Sequence, residues 1–140
     1  MRAILICLML GGCAAAPSIP EVSGSAGGDV NVYRQAAGLP VLTTSAATRR
    51  AAERHAADMA RAGFFSHDGS DGSTMADRLR AVGCTGGAEN IAAGPYDRVT
   101  VLEAWMDSPA HRANILNPAM RTYGVAQSGD RWVMVLGMDC

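Results

Sequence analysis

The sequence predicts a single α+β domain in which several helices pack on a small antiparallel sheet. Capped helical patterns alternate with Gly- and Pro-rich turns, and two strand-like segments close the chain. The chain has 140 residues, of which 49% are hydrophobic, so it can bury one core and is too apolar to be disordered. Aromatic residues make up only 5%, so aliphatic side chains and Met must fill most of that core.

N-capping residues followed by apolar residues at helical spacing predict the helices. The predicted N-caps are Asp29, Thr44 or Ser45, Thr74, Asp97 and Ser108. Gly38 and Gly63 are placed to end the first two helices, because glycine readily adopts the left-handed conformation found there. Pro109 suits the first position of the last helix, which we expect to extend to Leu116.

Three segments are expected to form strands. Ala88–Ala92 is short and apolar enough to be a buried strand. Tyr123–Gln127 and Trp132–Met138 are rich in strand-forming residues, and Ser128–Asp130 between them predicts a hairpin turn. Leu39–Leu42 is interpreted as an extended link between two helices.

The first residues have the organisation of an export signal. Arg2 supplies a positive charge, and Ala3–Leu10 is an apolar stretch too short to span a bilayer. Leu10–Cys13 resembles the lipobox of bacterial lipoproteins. The resemblance implies that residues 1–12 are a lipoprotein signal peptide and that Cys13 is lipidated, so that acyl chains anchor the protein to a membrane. The alternative is an ordinary secretory signal cut after Ala16, which leaves Cys13 without a role.

The composition after Cys13 predicts how the rest of the chain is organised. Residues 13–28 contain mostly Ala, Pro, Ser and Gly, which is typical of a flexible tether, and residues 29–140 form the domain. Ala14 stands where an Asp would signal retention in the inner membrane, so we expect the outer membrane in a cell that has one. The net charge of −1, without a basic run, argues against nucleic-acid binding, and we expect a monomer.

The cysteine count predicts one disulfide. Of the four cysteines, Cys7 leaves with the signal and Cys13 carries lipid, which leaves Cys84 and Cys140 as a pair in an oxidising compartment. A bond between them would stabilise the fold by roughly 4 kcal/mol in the chain-entropy model. Two cysteines this far apart lack a metal-ligand spacing, so a metal site or a catalytic thiol is the less favoured alternative.

Three segments combine chemically active residues with loop signals. They are Phe64–His67, Ala88–Gly94 and Trp105–Leu116. Their order, with Gly38-Leu39 upstream and Tyr123–Val125 downstream, resembles the bacterial branch of the CAP superfamily, also called SCP or PR-1-like, over roughly residues 30–137. The resemblance implies an α–β–α sandwich with a central antiparallel sheet and one open cleft.

The resemblance also implies a His and Glu cluster in that cleft that binds a divalent metal, often zinc. By position, its members correspond to His67, Glu89 and His111. Eukaryotic members carry a further His before the last strand, where this chain has Gly129–Met134 without one. Two imidazoles and a carboxylate are a sound zinc set with an open position for water. The alternative is that the three residues hydrogen-bond one another and order the loops, with Glu89 accepting backbone N–H bonds from around His111.

No other polar residues predict a catalytic constellation. His55 lies on the apolar side of a helix and is interpreted as a core histidine. Ser66 is adjacent to His67, so the two side chains should point apart, and no Gly-x-Ser-x-Gly elbow exists. Asp68 and Asp71 are too few ligands for an EF-hand. Structural roles are expected for Asn90, Asn114 and Trp105.

Three classes of function follow from these observations. The favoured one is a non-enzymatic binding module that holds a lipid, glycan or peptide in the cleft, because no complete nucleophile constellation is present. The second is a metal-dependent hydrolase in which His67 and His111 bind the metal and Glu89 is a ligand or general base. The third is a structural protein of the cell envelope that acts through its surface.

Overall fold

The computed structural model describes residues 28–140, so the expected signal peptide, the lipidated Cys13 and the tether before Gly28 lie outside the described residues. The elements in chain order are α1 (Val30–Ala36), β1 (Thr43–Thr44), α2 (Ala46–Ala62), α3 (Met75–Ala81), β2 (Gly87–Ala93), α4 (Arg98–Asp107), α5 (Pro109–Ile115), β3 (Thr122–Ser128) and β4 (Arg131–Gly137). The predicted α+β class is confirmed. None of the helices formed by these residues has the length and apolar character needed to cross a bilayer.

The four strands form one sheet in the order β1-β3-β4-β2. β4 pairs antiparallel with both β2 and β3, and β3 joins β4 through a two-residue turn in which Gly129 has φ 59°. β1 was not expected from the sequence. It pairs parallel with β3 over only Thr43 and Thr44. It forms because Thr43 N–H donates to the carbonyl of Arg121, just before β3, and Ser45 N–H donates to that of Tyr123 in β3, not because of a local strand pattern.

Helices cover both faces of the sheet, so the fold has the α–β–α layers that the resemblance implies. Because neighbouring strand residues point to opposite faces, β4 contributes to two cores. The core against α1, α4 and α5 contains Val30, Leu42, Val101, Leu102, Trp105, Met106, Ile115, Met120, Tyr123, Trp132, Met134 and Leu136. The core against α2 and α3 contains Ala51, Ala52, Ala56, Met59, Leu79, Cys84, Ile91, Val133 and Val135.

Local capping sets where the helices begin and end, as the sequence predicts. The Ser45 side chain caps α2, which ends at Gly63 in the left-handed conformation with φ 69°. Thr74 and Asp77 form a reciprocal capping box at the start of α3. Ser108 precedes α5 without a side-chain cap, and Pro109 at the first helical position replaces one N–H that would need a partner.

A glycine lets the start of α2 lie directly on the sheet. A Cβ at Gly124 of β3 would collide with the backbone of Thr48 and Arg49 in α2. Any side chain at Gly124 would therefore push the first turn of α2 away from β3. This close approach shapes the edge of the sheet on the β3 side.

Arg34 of α1 is fully buried and has no acidic partner among the described residues. Its Nε donates to Pro40 O at 2.8 Å, and its Nη1 donates to Ile115 O at 2.8 Å and to Asn117 O at 3.0 Å. The carbonyls at the C-terminal end of a helix carry partial negative charge, so they stabilise the guanidinium. Arg34 thereby holds the end of α5 against α1.

The predicted disulfide is confirmed. Cys84 and Cys140 are bonded, and they join the segment between α3 and β2 to the C-terminus. Next to the bond, Thr85 N–H donates to Asp139 O and Met138 N–H to Gly86 O, so the chain end follows β2 as a continuation of the ladder.

Candidate functional site

The structure brings His67 and Glu89 into contact. His67 Nδ1 lies 2.9 Å from Glu89 Oε1. Because a carboxylate oxygen accepts, His67 donates this hydrogen bond from Nδ1, and Nε2 is the ring nitrogen that Glu89 leaves free. The Glu89 side chain, on β2, is 1% exposed, whereas that of His67, in the loop after α2, is 53% exposed. A buried carboxylate therefore orients an imidazole that faces solvent.

Arg78 is a central residue of the site that the sequence did not identify. Its Nη2 lies 3.0 Å from both Glu89 oxygens and also donates to His67 O at 2.7 Å. Its Nη1 donates to Ser73 O at 3.0 Å, so Arg78 ties two points of the loop that contains His67 to α3. The signal that could have found it is Glu89 itself, because a carboxylate on a buried strand requires a cation nearby.

His55 of α2 is buried next to the site, as expected for a core histidine. Its Nε2 donates to Ser66 O at 2.9 Å, because a carbonyl can only accept, and lies 3.7 Å from Glu89 Oε1. Burial lowers the pKa of His55, against the opposing effect of the Glu89 charge. The ring is therefore neutral near pH 7, and its contact with Glu89 is not an ion pair. Its role is to hold the backbone immediately before His67.

His111 reaches the site from α5, on the other face of the sheet. Asn90 on β2 donates from Nδ2 to His111 O at 3.1 Å, and Asn114 donates from Nδ2 to Asn90 Oδ1 at 2.8 Å. Burial lowers the pKa of His111, and the positive charge that His67 carries when protonated lowers it further. The α5 backbone at His111 is therefore held beside β2, close enough for a charge on His67 to act on the His111 ring.

The hydrogen bonds of Glu89 differ from one expectation drawn from the sequence. The sequence suggested that the Glu89 side chain accepts N–H bonds from the backbone around His111. Its carboxylate instead accepts from His67 and Arg78, and the two asparagine amides tie β2 to α5. This is the structural role expected for both asparagines.

The free edge of β2 is closed by side chains. Asn114 Nδ2 lies 3.4 Å from Glu89 O, and Trp105 Nε1 donates to Ile91 O at 3.2 Å. These carbonyls point away from β4, so α4 and α5 supply donors where another strand would otherwise pair. The His67 loop and α5 therefore lie on either side of a protected β2 edge, where the resemblance places the cleft.

The hydrogen bonds of Glu89 give it an orienting role towards His67 and not the position of a direct metal ligand. Within residues 28–140, no three His, Cys, Asp or Glu side chains are placed to hold a metal ion together. Glu89 accepts from both Arg78 and His67, so it would orient His67 as an outer partner of a metal. His67 and His111 remain as the candidate ligands, and the predicted set of His67, Glu89 and His111 stays a prediction.

The rim beside His67 is aromatic and cationic. Phe65 is 51% exposed, and the Arg131 guanidinium lies 5.9 Å from the centre of its ring. Arg131 Nε also donates to Phe64 O at 3.1 Å, which ties this loop to the start of β4. The apolar ring of Phe65 and the guanidinium of Arg131 thus both lie at the loop that contains His67.

The remaining polar candidates stabilise loops. Ser66 Oγ accepts from Asp68 N–H at 3.1 Å, and Asp71 Oδ1 accepts from Ser73 N–H at 2.9 Å. Hydrogen bonds from the Ser73 side chain and backbone lower the pKa of Asp71. Ser66 therefore has a local partner and no contact with an imidazole through its hydroxyl group.

Comparison with known proteins adds an independent line of evidence. The model of the CAP, cysteine-rich secretory protein, family matches residues 28–135. The chain is 33% identical over 106 residues to the uncharacterized protein YkwD of Bacillus subtilis, covering 73% of this chain and 41% of that protein. It is also 33% identical over 97 residues to the uncharacterized membrane protein YlbC of the same organism, covering 68% and 28%. The chain therefore spans less than half of the curated relatives that it matches.

Solved structures show the same fold. An extracellular protein with an SCP domain from Bacillus anthracis superposes with a TM-score of 0.75 at 32% identity, covering 79% of this chain and 38% of that one. An outer surface protein of Borrelia burgdorferi superposes with a TM-score of 0.70 at 19% identity, covering 79% and 87%. A cysteine-rich secretory protein of Staphylococcus aureus superposes with a TM-score of 0.64 at 22% identity, covering 79% and 36%. At these lower identities the last two support the fold alone.

Proposed function

This chain belongs to the CAP, cysteine-rich secretory protein, family, and from that premise we propose that it is an exported, membrane-anchored binding module. Its ligand would occupy the cleft beside β2 and contact His67 and His111. The ligand classes that suit the cleft are a lipid, a glycan or a peptide, because each combines apolar surface with hydrogen-bonding groups.

The main support for this proposal is that the Glu89 carboxylate is already hydrogen-bonded to Arg78 and His67. A general base must reach the proton that it removes, but Arg78 and His67 occupy the buried carboxylate of Glu89. Among residues 28–140, no hydroxyl or thiol side chain is hydrogen-bonded to a histidine ring, so a nucleophile paired with its base is not assembled. The site is thus better equipped to hold a ligand than to cleave one.

The exposed rim supports the same proposal. The Phe65 ring offers an apolar surface, and Arg131 and the Nε2 atom of His67 offer hydrogen-bonding groups beside it. A ligand covering this rim would gain roughly 25 cal/mol for each Å² of apolar surface removed from water. His67, whose ring is oriented by Glu89, would then contribute a hydrogen bond through Nε2.

Export is supported by the sequence and by one solved relative, and anchoring by the sequence. The Bacillus anthracis protein, which is 32% identical to this chain, is described as extracellular. Leu10–Cys13 supplies the lipobox-like segment, and several acyl chains would hold the domain stably at a membrane. Cell fractionation tests the anchor, because a Cys13→Ala variant should move from the membrane fraction to the soluble fraction, whereas unchanged retention would contradict lipidation.

A metal-dependent hydrolase is the second candidate, favoured by the two neighbouring imidazoles. His67 and His111 would hold the metal, and Glu89 would keep the His67 ring in its metal-binding tautomer. When bound, a zinc ion would acidify a water molecule and polarise a carbonyl group. This reading requires stoichiometric zinc and an activity that a Glu89→Gln substitution abolishes while the fold stays intact.

A metal and ligand inventory separates the two candidates. The full chain would be extracted from its native membrane in mild detergent without chelators, then analysed for metals by elemental analysis and for organic ligands by mass spectrometry. We expect an organic ligand at about one per chain, and its loss from a Phe65→Ala variant, because the ring forms the exposed rim.

Val41→Ala is the matched control for this experiment. Val41 is 50% exposed, as Phe65 is, but precedes β1 at the opposite edge of the sheet from the cleft, so this variant should retain the ligand. Absence of any ligand, or equal loss in both variants, would contradict the binding proposal. Zinc at one per chain together with a Glu89-dependent activity would establish the hydrolase instead.

A further inference from the structure

The sheet has a second, open edge on the side away from the cleft. β1 covers the outer edge of β3 only at Thr122 and Tyr123. Ser128 pairs with Arg131 across the two-residue turn. From this pair onward, every second residue of β3 directs its backbone N–H and C=O groups to β4, and the residues between direct theirs to the open edge. By this alternation, the N–H and C=O groups of Val125 and Gln127 face outward with no strand beside them in the described part of the chain.

A groove lies along this edge. Its volume is about 390 Å³, and it is lined by Thr44, Ser45, Ala46, Arg49, Arg98, Tyr123, Gly124 and Val125. The first turn of α2 forms one wall, held against β3 by the close approach at Gly124, and the start of α4 forms the other. The floor is therefore strand backbone, and the walls carry two arginines.

The positive charge of this groove is incompletely neutralised. Arg98 is exposed and has no acidic partner within residues 28–140. Arg49 has only Glu53, one helical turn away at 3.6 Å, and both side chains are more than half exposed. Exposed pairs of this kind contribute little, so Arg49 remains available to another carboxylate. An extended segment that carries one acidic residue would complement the groove.

The position at which the described chain begins identifies such a segment. Gly28 lies against Arg98, since a Cβ at Gly28 would come within 2.9 Å of Arg98 Cγ. The described part of the chain therefore begins beside the groove. Among residues 3–28, Glu21 is the only charged residue; it lies between Pro20 and Val22, and Ile19 precedes Pro20. Gly28 is seven positions after Glu21, so an extended chain could span up to about 24 Å between them.

We propose that residues 18–22 of the same chain bind in this groove as an added edge strand beside β3. The backbone of the segment pairs with Val125 and Gln127, and the Glu21 carboxylate lies between Arg49 and Arg98. Pro20 lacks an N–H group and is therefore compatible only with an edge strand, which this segment would become. Because the segment is covalently linked to Gly28, its effective concentration at the groove is in the mM range, so weak contacts suffice.

Docking of residues 18–22 would also orient the domain, a consequence that rests on the proposed lipid anchor. It would shorten the free tether after Cys13 to four residues, Ala14–Pro17, and hold the β3 edge towards the membrane. β2 is at the other end of the strand order, so the cleft with His67 and His111 would face away from the lipid. The docking itself does not depend on a ligand in the cleft.

Hydrogen exchange of the Val125 and Gln127 amides tests the proposal. The full chain in mild detergent would be compared with a Glu21→Arg variant and with a Val22→Pro variant, which removes a backbone donor. We expect these two amides to exchange roughly tenfold more slowly in the wild-type chain than in either variant. Arg49→Glu and Arg98→Glu introduced together with Glu21→Arg should restore slow exchange, because the charges are then complementary again.

Two controls make the outcome decisive. Glu103→Arg reverses a charge on α4 away from this groove and should leave both amides protected, and the Val133 amide, inside the ladder, should stay protected in every variant. Equal exchange in the wild-type and both tether variants would overturn the proposal. Protection that increases with protein concentration would overturn it as well, because a second copy of the chain would then be the occupant.

Discussion

The two sides of the cleft position their histidines by different means. His67 is held by charged groups, since Arg78 bonds to its carbonyl and to the buried Glu89 that orients its ring. The α5 backbone at His111 is held by neutral groups, namely the amides of Asn90 and Asn114. Charged partners give the stronger hydrogen bonds but leave a larger penalty when one is removed. The His67 side should therefore be more sensitive to substitution than the His111 side.

Arg34 shows that the neutral side also contains a cation. It bonds only to carbonyls, including Ile115 O at the end of α5. Arg34 therefore anchors the helix as a whole and leaves the local positioning of His111 to the amides. On the His67 side, one arginine does both, because Arg78 bonds to the loop backbone and to the carboxylate.

Removal of Arg78 should produce the largest effect. Arg78→Met leaves the Glu89 carboxylate buried without its cation, so we expect the free energy of unfolding to fall by about 3–5 kcal/mol. Denaturant titration measures this change. The double variant Arg78→Met with Glu89→Met should recover most of the loss, because it removes the unpaired charge as well.

The matched control for Arg78 lies two residues away on the same helix. Arg80 has a 73% exposed side chain and pairs with Asp77 at 3.1 Å on the surface. Arg80→Met should change the free energy of unfolding by less than about 0.5 kcal/mol. If Arg78→Met were as mild as Arg80→Met, the charged network could not be what holds the His67 side.

A smaller effect is expected on the neutral side. Asn114→Ala leaves Asn90 Oδ1 without its donor at a buried position, which should cost about 1–3 kcal/mol. Two-dimensional NMR should show the His111 ring signals shifted and those of His67 nearly unchanged. Arg112→Ala, at an exposed position of α5, is the control and should stay near wild type. An equal shift of both rings would mean that the two sides are one network.

Much of this fold could be predicted from the sequence, because local chemistry determines it. The caps Ser45, Thr74 and Asp97 and the turn at Gly129 act within a few residues, so their patterns are visible in the chain. The two-residue β1 could not be predicted, because nothing in Thr43-Thr44 itself specifies a strand and its partner is almost eighty residues away. The disulfide could be predicted, since the cysteine count left one pair.

The candidate site was predicted only in part, for a similar reason. His67, Glu89 and His111 belong to motifs that the family resemblance carries, whereas Arg78 belongs to none of the three segments. An arginine on an amphipathic helix is usually solvated, and only the packing of α3 against β2 shows that Glu89 is its partner. The Asn90 and Asn114 bonds likewise depend on the approach of α5 to β2, which local sequence does not specify.

The smallest effect should be the dependence of stability on pH, which sharpens the comparison between the two sides. Burial lowers the pKa of both His55 and His111 below the value of about 6.5 for a free histidine. Above that pH both rings are neutral in the folded and unfolded chain, so they contribute no pH dependence. Below it the unfolded chain binds protons first, and the free energy of unfolding should fall by up to about 1.4 kcal/mol per pH unit for each ring.

Denaturant titrations between pH 5 and 7.5, with a chelator present, measure this slope. His55→Gln should reduce the slope of the free energy of unfolding against pH by removing a ring on the His67 side, where Glu89 partly offsets the effect of burial. His111→Gln should also reduce it, by removing a ring on the α5 side, where no carboxylate opposes the lowered pKa. The change in slope in His111→Gln therefore measures how far burial and a nearby His67 lower the pKa of His111. The change in His55→Gln measures how far burial lowers the pKa of His55 against the opposing charge of Glu89. Stability that rises as the pH falls from 6.5 in the wild type but not in His55→Gln would contradict the neutral, buried state of His55.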